Sequence, residues 1–282
     1  MHGGISGVIG VYLIEDPVPT IIDCGPTTSV DGLIAGIEEF GYHLSDIQNL
    51  LITHIHPDHA GAAGFLVSRH PEITVYVHEI GAPHLIDPKR LLRSATRIYG
   101  DSFTSIFGSI APVPKENVQL ISGPLLNFDV LPVPGHASHQ VAFIDSEGVA
   151  YPGDAVGCLW GEGDFLYPAA APPEIDIPAW EGSLDALGER GLTALRIPHY
   201  GEISDVENHL LRTRERLAFW AEIVQKGADE ATFVSACSQA LRDEGTIADE
   251  EIFPHLPFPS FEMSYAGIKR YYEKLSEEKE IA

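Results

Sequence analysis

The segment Thr53-His54-Ile55-His56-Pro57-Asp58-His59-Ala60-Gly61 constrains this chain more than any other. It sets three imidazoles and a carboxylate close together, directly after a short apolar run over residues 49–53 that reads as a strand. Imidazole nitrogen and carboxylate oxygen are the ligands that suit zinc and non-haem iron. In an extended chain, residues two apart point to the same side, so His54 and His56 can converge on one ion. Pro57 disfavours helix at His56 and then starts a turn, which carries Asp58 and His59 to a different wall. That geometry serves two adjacent ions rather than one. An isolated histidine is ordinarily solvated or hydrogen-bonded, and His2, His43, His70, His209 and His255 are read that way. His78 and His84 are read as packing residues near the substrate entrance.

Composition narrows the partners. The formal charge is −24, from 41 acidic and 17 basic side chains, and no basic stripe is present. Gripping nucleic acid depends on neutralising phosphates, so a small-molecule substrate is expected and nucleic acid is not. Lys89, Arg90 and Arg93 are the local cations that could greet a small anion. No apolar run approaches the roughly 20 residues that span a bilayer, so no membrane partner is expected. Met1-His2-Gly3-Gly4 lacks the basic and apolar regions of a secretory signal, and the expected compartment is the cytoplasm. Cys24, Cys158 and Cys237 form no CxxC pair and read as small buried hydrophobes.

Along the chain, apolar runs at 8–14 and 20–23 read as strands, and Leu33, Ile34, Ile37 and Phe40 recur at helical spacing before Gly41. A helix is expected over 60–69, a strand over 73–77 and an amphipathic helix over 91–99. Strands follow at 118–121, 128–133, 141–145, 149–151 and 193–197. The Pro-rich stretch 167–178 reads as an ordered loop or a lid. Helical periodicity then takes over at Val206, Leu210, Leu217 and Trp220, and again from Phe261 to Leu275. Residues 1–203 therefore read as one α/β domain and 204–282 as a helical extension packed on it.

The HxHxDH order of His54, His56, Asp58 and His59 resembles the motif of the metallo-β-lactamase superfamily. Later segments resemble the rest of that family's pattern in the same order. Pro134-Gly135-His136 looks like the third histidine of the first metal site. Tyr151-Pro152-Gly153-Asp154 looks like the strand-end aspartate that bridges both metals, and Ile197-Pro198-His199-Tyr200-Gly201 looks like the final histidine. The likeness covers residues 1 to about 203. It implies His54, His56 and His136 at one ion, Asp58, His59 and His199 at the other, and Asp154 between them. His139 competes with His136, which is preferred because it directly follows Gly135; His139 is left to packing or to a supporting hydrogen bond. The implied fold is an α/β (α+β) four-layer αββα sandwich of two mixed sheets flanked by helices. The implied cofactors are two divalent ions, zinc first, with iron or manganese as alternatives.

Two such ions activate a hydroxide at ordinary pH, and the reaction expected is hydrolysis of an ester, lactone or thioester bond in a small molecule. Within the family this expectation resembles the glyoxalase II or lactonase-like branch. Asp58 is the candidate catalytic residue, orienting the nucleophile or shuttling a proton to the leaving group, and Tyr200 is a candidate hydrogen-bond donor to substrate. Two other readings stand beside it: a mononuclear non-haem iron dioxygenase acting on a persulfide, and a noncatalytic metal-binding scaffold. The helices after residue 203 are expected to cover part of the metal edge and to set specificity.

Overall fold

The computed structural model describes residues 7–15, 17–159, 165–199, 201–244 and 260–281. Its strands are β1 (Tyr12–Ile14), β2 (Thr20–Ile22), β3 (Asn49–Leu51), β4 (Thr74–Val77), β5 (Val118–Leu120), β6 (Asp129–Pro132), β7 (Val141–Ile144), β8 (Val149–Tyr151), β9 (Cys158–Leu159), β10 (Leu166–Tyr167), β11 (Ala194–Ile197) and β12 (Gly201–Ile203). Its helices are α1 (Val30–Glu39), α2 (Pro57–Ala60), α3 (Ala63–Arg69), α4 (Ala82–Ile86), α5 (Lys89–Tyr99), α6 (Phe103–Phe107), α7 (Ile177–Gly188), α8 (Val206–Gln225), α9 (Glu230–Glu244) and α10 (Phe261–Ile281).

The chain divides into two compact units. One takes Met1–Pro132, His139–Gly153 and Leu192–Glu202; the other takes Val133–Ser138, Asp154–Gly191 and Ile203–Ala282. Residues after 203, read from sequence as an extension, thus share a unit with two earlier stretches.

In the first unit, one five-stranded sheet has the order β1-β2-β3-β4-β5, with β1 antiparallel to β2 and β2 through β5 parallel. The other has the order β12-β11-β8-β7-β6, with β11 parallel to β8 and β8, β7 and β6 antiparallel in turn. Side chains alternate across each strand, and the sequence uses that alternation. Ile21, Leu50, Ile52, Val75 and Val77 enter a core built with α1, α3 and α4. Ile22 and Leu51 turn the other way, into a second core with Phe128, Val141, Phe143 and Tyr151 of the facing sheet. Both faces of the central strands are apolar because both are covered.

The run over 8–14 behaves differently from the expectation: the strand begins only at Tyr12. Before it, the backbone polar groups go elsewhere, Gly10 N–H to the Pro198 carbonyl at 2.5 Å and the Val8 carbonyl to the His199 ring. A ladder partner is not what those residues serve.

The described residues of the second unit hold helices α7, α8, α9 and α10 and the antiparallel pair β9–β10. Its core is aromatic, with Trp220 edge-on to Phe233 at 5.6 Å and to Phe261 at 5.8 Å. The stretch 167–178 is an ordered segment rather than a lid: Tyr167, Ala169 and Ala170 are 3%, 1% and 0% exposed. Helix α7, absent from the sequence reading, starts within it, where the Asp176 carboxylate accepts the Ala179 N–H at 3.0 Å. This is an N-cap, and Pro178 in the first turn suits it. Cys24, Cys158 and Cys237 are all buried thiols, as expected. Among the described residues no helix is long and apolar enough to cross a membrane.

Helix α10 crosses the 167–178 segment with no room to spare: a Cβ on Gly267 would lie 1.9 Å from the Ala170 carbonyl oxygen. Backbone cannot yield as a flexible side chain can. Gly267→Ala is expected to lower unfolding free energy by about 1–3 kcal/mol, the usual cost of overpacking, despite the better helix propensity of alanine. Denaturant unfolding measures it, and unchanged stability would show that the helix is free to shift.

Candidate metal centre

Strand β3 runs out through Ile52 and Thr53 into His54, and the Thr53 carbonyl accepts the Val141 N–H at 3.0 Å, fixing the strand end. His56 keeps extended backbone and serves as N-cap of the single-turn α2, with Pro57 at its first position. The local sequence therefore turns a strand into a helical turn between His56 and Asp58. His54 and His56 lie on one side, with ring centroids 4.6 Å apart, and Asp58 and His59 fall on the other.

Donor atoms of His54, His56 and His136 lie within 4.8 Å of one another, and so do those of Asp58, His59, Asp154 and His199. The two groups adjoin. His54 and His59 ring centroids are 4.0 Å apart, and His136 Nε2 of the first group is 3.6 Å from Asp154 Oδ2 of the second. Asp58 Oδ2 lies 3.5 Å from His59 Nε2 and 3.6 Å from His199 Nε2. Six of the seven side chains are buried, and His56 is partly so.

Hydrogen bonds decide which ring nitrogen each histidine offers. A carbonyl oxygen only accepts, so His136 Nδ1 must donate to the Ala169 carbonyl (2.6 Å) and His199 Nδ1 to the Val8 carbonyl (2.5 Å). His59 Nδ1 donates to Asp23 Oδ2 at 2.9 Å. The Thr53 hydroxyl donates to the same Asp23 oxygen at 2.8 Å, so it accepts from His54 Nδ1 at 3.1 Å. In all four rings Nδ1 holds a proton that it donates outward, so Nε2 is the nitrogen each ring turns toward the other donors and would offer to a metal ion. That is the arrangement by which an outer partner orients a metal-binding imidazole.

Asp23 was not read from the sequence as a functional residue. It ends an apolar strand before Cys24-Gly25-Pro26, which looks like a turn, and only its spacing from Thr53 in three dimensions reveals it. Its Oδ1 also accepts the Thr53 N–H at 2.9 Å.

The remaining candidates are placed as follows. His139 is buried outside both groups, and its Nε2 accepts the Ile55 N–H at 3.1 Å, a bond that steadies the backbone between His54 and His56. His209 is a buried residue of α8 whose Nε2 donates to the Val156 carbonyl at 3.0 Å. His78 and His84 are in neither group. Tyr200, His2 and His255 lie outside the described residues.

Asp154 sits on a 3₁₀ turn, Gly153–Val156, and the second unit pins that turn. Trp180 Nε1 donates to the Ala155 carbonyl at 2.6 Å, and Thr213 Oγ1 to the Val156 carbonyl at 2.8 Å beside His209. Gly135, just before His136, has φ +139°, and a Cβ there would lie 2.3 Å from Trp180 Cα. The same tryptophan therefore dictates the residue before one donor and the turn bearing another.

The donor set fits bound divalent metal. Burial by itself would raise the Asp58 carboxyl, but the charges and hydrogen bonds of His59 and His199 hold it well below the usual carboxylate range. Its Oδ1 is buried with no hydrogen-bond partner among the described residues. An anionic, water-excluded carboxylate with an unsatisfied oxygen, beside imidazoles presenting Nε2, has the chemistry a cation completes.

The chain belongs to the Metallo-beta-lactamase superfamily: the profile of that family matches residues 11–197. It is 29% identical over 178 residues to the probable metallo-hydrolase YqjP of Bacillus subtilis, covering 52% of this chain and 52% of that one. The chain spans about half to three-fifths of the length of the curated relatives it matches. The crystal structure of the family protein TTHA1429 from Thermus thermophilus superposes with a TM-score of 0.65 at 22% identity, covering 96% of this chain and 89% of that one. TTHA1623, solved in a di-iron-bound form, gives a TM-score of 0.52 at 25% identity, covering 72% and 94%. The fold is thus the metallo-β-lactamase fold, mixed sheets flanked by helices, as the motif resemblance implied.

Asp23→Asn keeps the size of the side chain but removes the anion that holds both His59 and, through Thr53, His54. Divalent-ion affinity is expected to fall about 10–100-fold at both sites, as with other outer-shell supports. Competition against a chromophoric chelator reads this out, and parent-like affinity at either site would refute the shared support.

Proposed function

We propose that this chain is a hydrolase of ester, lactone or thioester bonds in a small molecule, working with two divalent ions. One observation carries the reading: two adjoining donor groups in which four of the five imidazoles present Nε2 and the carboxylates number two. His54, His56 and His136 would hold one ion, Asp58, His59 and His199 the other, and Asp154, within reach of both groups, would bridge them. Ions so held supply Lewis acidity toward a scissile carbonyl and bring the pKa of a coordinated water toward about 7.

The chain's own residues have separable tasks in this scheme. Asp58 engages His59 and His199 through Oδ2, which leaves Oδ1 to orient the nucleophile and to pass its proton to the leaving group. Asp23, Ala169 and Val8 hold the imidazoles in register, so little reorganisation is needed as charge develops. The charge of −24 favours a small substrate over nucleic acid. Three buried thiols with no disulfide suit a reducing compartment, in keeping with a cytoplasmic enzyme.

A second full donor group favours this reading over a mononuclear iron dioxygenase. Zinc is the first expectation, but five imidazoles and two carboxylates accept iron or manganese as well, and TTHA1623 was solved with two irons.

Elemental analysis of the purified protein beside a panel of esters, lactones and thioesters tests the proposal. Two ions per chain are expected, with hydrolysis lost on chelation and restored by metal. Asp58→Ala is expected to lower kcat by about 10²–10⁴-fold, the span of general acid–base contributions. Oxygen uptake with a persulfide and one iron per chain, or hydrolysis indifferent to chelation and to Asp58→Ala, would overturn it.

A further inference from the structure

In the first unit, the head of β7 is stitched to its surroundings by three consecutive residues. Val141 N–H donates to the Thr53 carbonyl at 3.0 Å, just past the end of β3. His139 Nε2 accepts the Ile55 N–H at 3.1 Å, between His54 and His56. Gln140 goes elsewhere: its Nε2 donates to the Pro152 carbonyl at 2.8 Å, two residues before Asp154. Neighbouring side chains thus reach different donor groups, since His54 and His56 belong to the first and Asp154 to the second.

The Gln140 amide is buried, and its Oε1 has no hydrogen-bond partner among the described residues. An orphan acceptor of this kind costs stability, and an apolar side chain of like volume would avoid it. The engaged half of the amide is the half that holds Pro152. The space around it is closed. A Cβ on Gly153, where φ is +56°, would lie 2.8 Å from Thr53 Oγ1 and 3.2 Å from Gln140 Nε2. The turn that bears Asp154 therefore starts against both Gln140 and Thr53, the residue before His54.

We propose that Gln140 is a positioning residue for the second ion: through Pro152 it sets where the turn presents the Asp154 carboxylate, while His139 steadies the donors of the first ion alone. The inference rests on the two-ion reading. The first donor group keeps three imidazoles wherever Asp154 lies, whereas the second has Asp154 as one of four donors, so losing Gln140 falls on the second. This sets the pair apart from Asp23, whose hold extends to His59 and, through Thr53, to His54. A residue that only maintained the fold would weaken both sites together.

The full chain is stripped with a chelator and titrated with cobalt(II), followed by absorption and by competition against a chromophoric chelator. A three-imidazole site and a carboxylate-containing site give different cobalt bands, so the two affinities separate. The parent is expected to take two ions. Gln140→Met removes the orphan oxygen along with the bond to Pro152, so the metal-free variant should unfold close to the parent's temperature. Its second ion should bind about 10–100-fold more weakly, with the first within about threefold of the parent. His139→Ala should give the opposite split. One ion per parent chain would sink the two-ion reading and this inference with it. Two ions in the parent, with Gln140→Met parent-like or weakened alike at both sites, would overturn the inference alone. Should Gln140→Met not fold, Gln140→Asn decides by the same split, because its amide is one methylene too short to reach Pro152.

Discussion

The centre rests on the carboxylate of Asp23, which serves three donors. It accepts the Thr53 N–H, the Thr53 hydroxyl and the His59 ring N–H. Because the threonine proton is committed to Asp23, the threonine oxygen can only receive the His54 proton, and one anion therefore sets the tautomers of two imidazoles in different donor groups. Asp23 reaches this position with φ +58° at the end of β2, a left-handed conformation that aspartate tolerates better than most side chains. The strand-end geometry and the protonation pattern are one constraint.

The other supports are of a different kind. His136 and His199 lean on backbone carbonyls, Ala169 and Val8, which fix the ring without placing a negative charge behind it. A carboxylate partner raises ligand basicity more than a carbonyl does. His59, backed by Asp23, is therefore the stronger donor, and His136 is oriented by a neutral carbonyl. The turn carrying Asp154 is treated the same way, with Trp180, His209 and Thr213 all bonding its carbonyls. Precision here comes from packing in the helical unit rather than from charge.

The grouping of the candidate donors was legible, since an extended His54-x-His56 followed by a proline-started turn has few geometric outcomes. The sheets were legible too, because alternation at Ile21–Ile22 and Leu50–Leu51 follows from two covered faces. The supports were not. A backbone carbonyl such as that of Ala169 or Val8 has no sequence signature, and Asp23 before Cys24-Gly25-Pro26 imitates a turn residue. Helix α7 was hidden by the prolines ahead of it, although Asp176 followed by Pro178, with Trp180, Leu184 and Leu187 at helical spacing, carried the signal. The strand read from residue 8 was too long because apolar pattern cannot tell a ladder from a segment whose polar groups bond a neighbouring loop.

The contact between Gly267 and Ala170 bears on what counts as the family's portable core. The matched region closes at residue 197, yet Ala169, which orients His136, is adjacent to a residue braced by a helix starting at Phe261. A chimera grafting residues 11–199 onto an unrelated tail would inherit every donor atom but not this backing. The tail of this chain is then not an interchangeable ornament, and drift in it is coupled to the imidazole it buttresses.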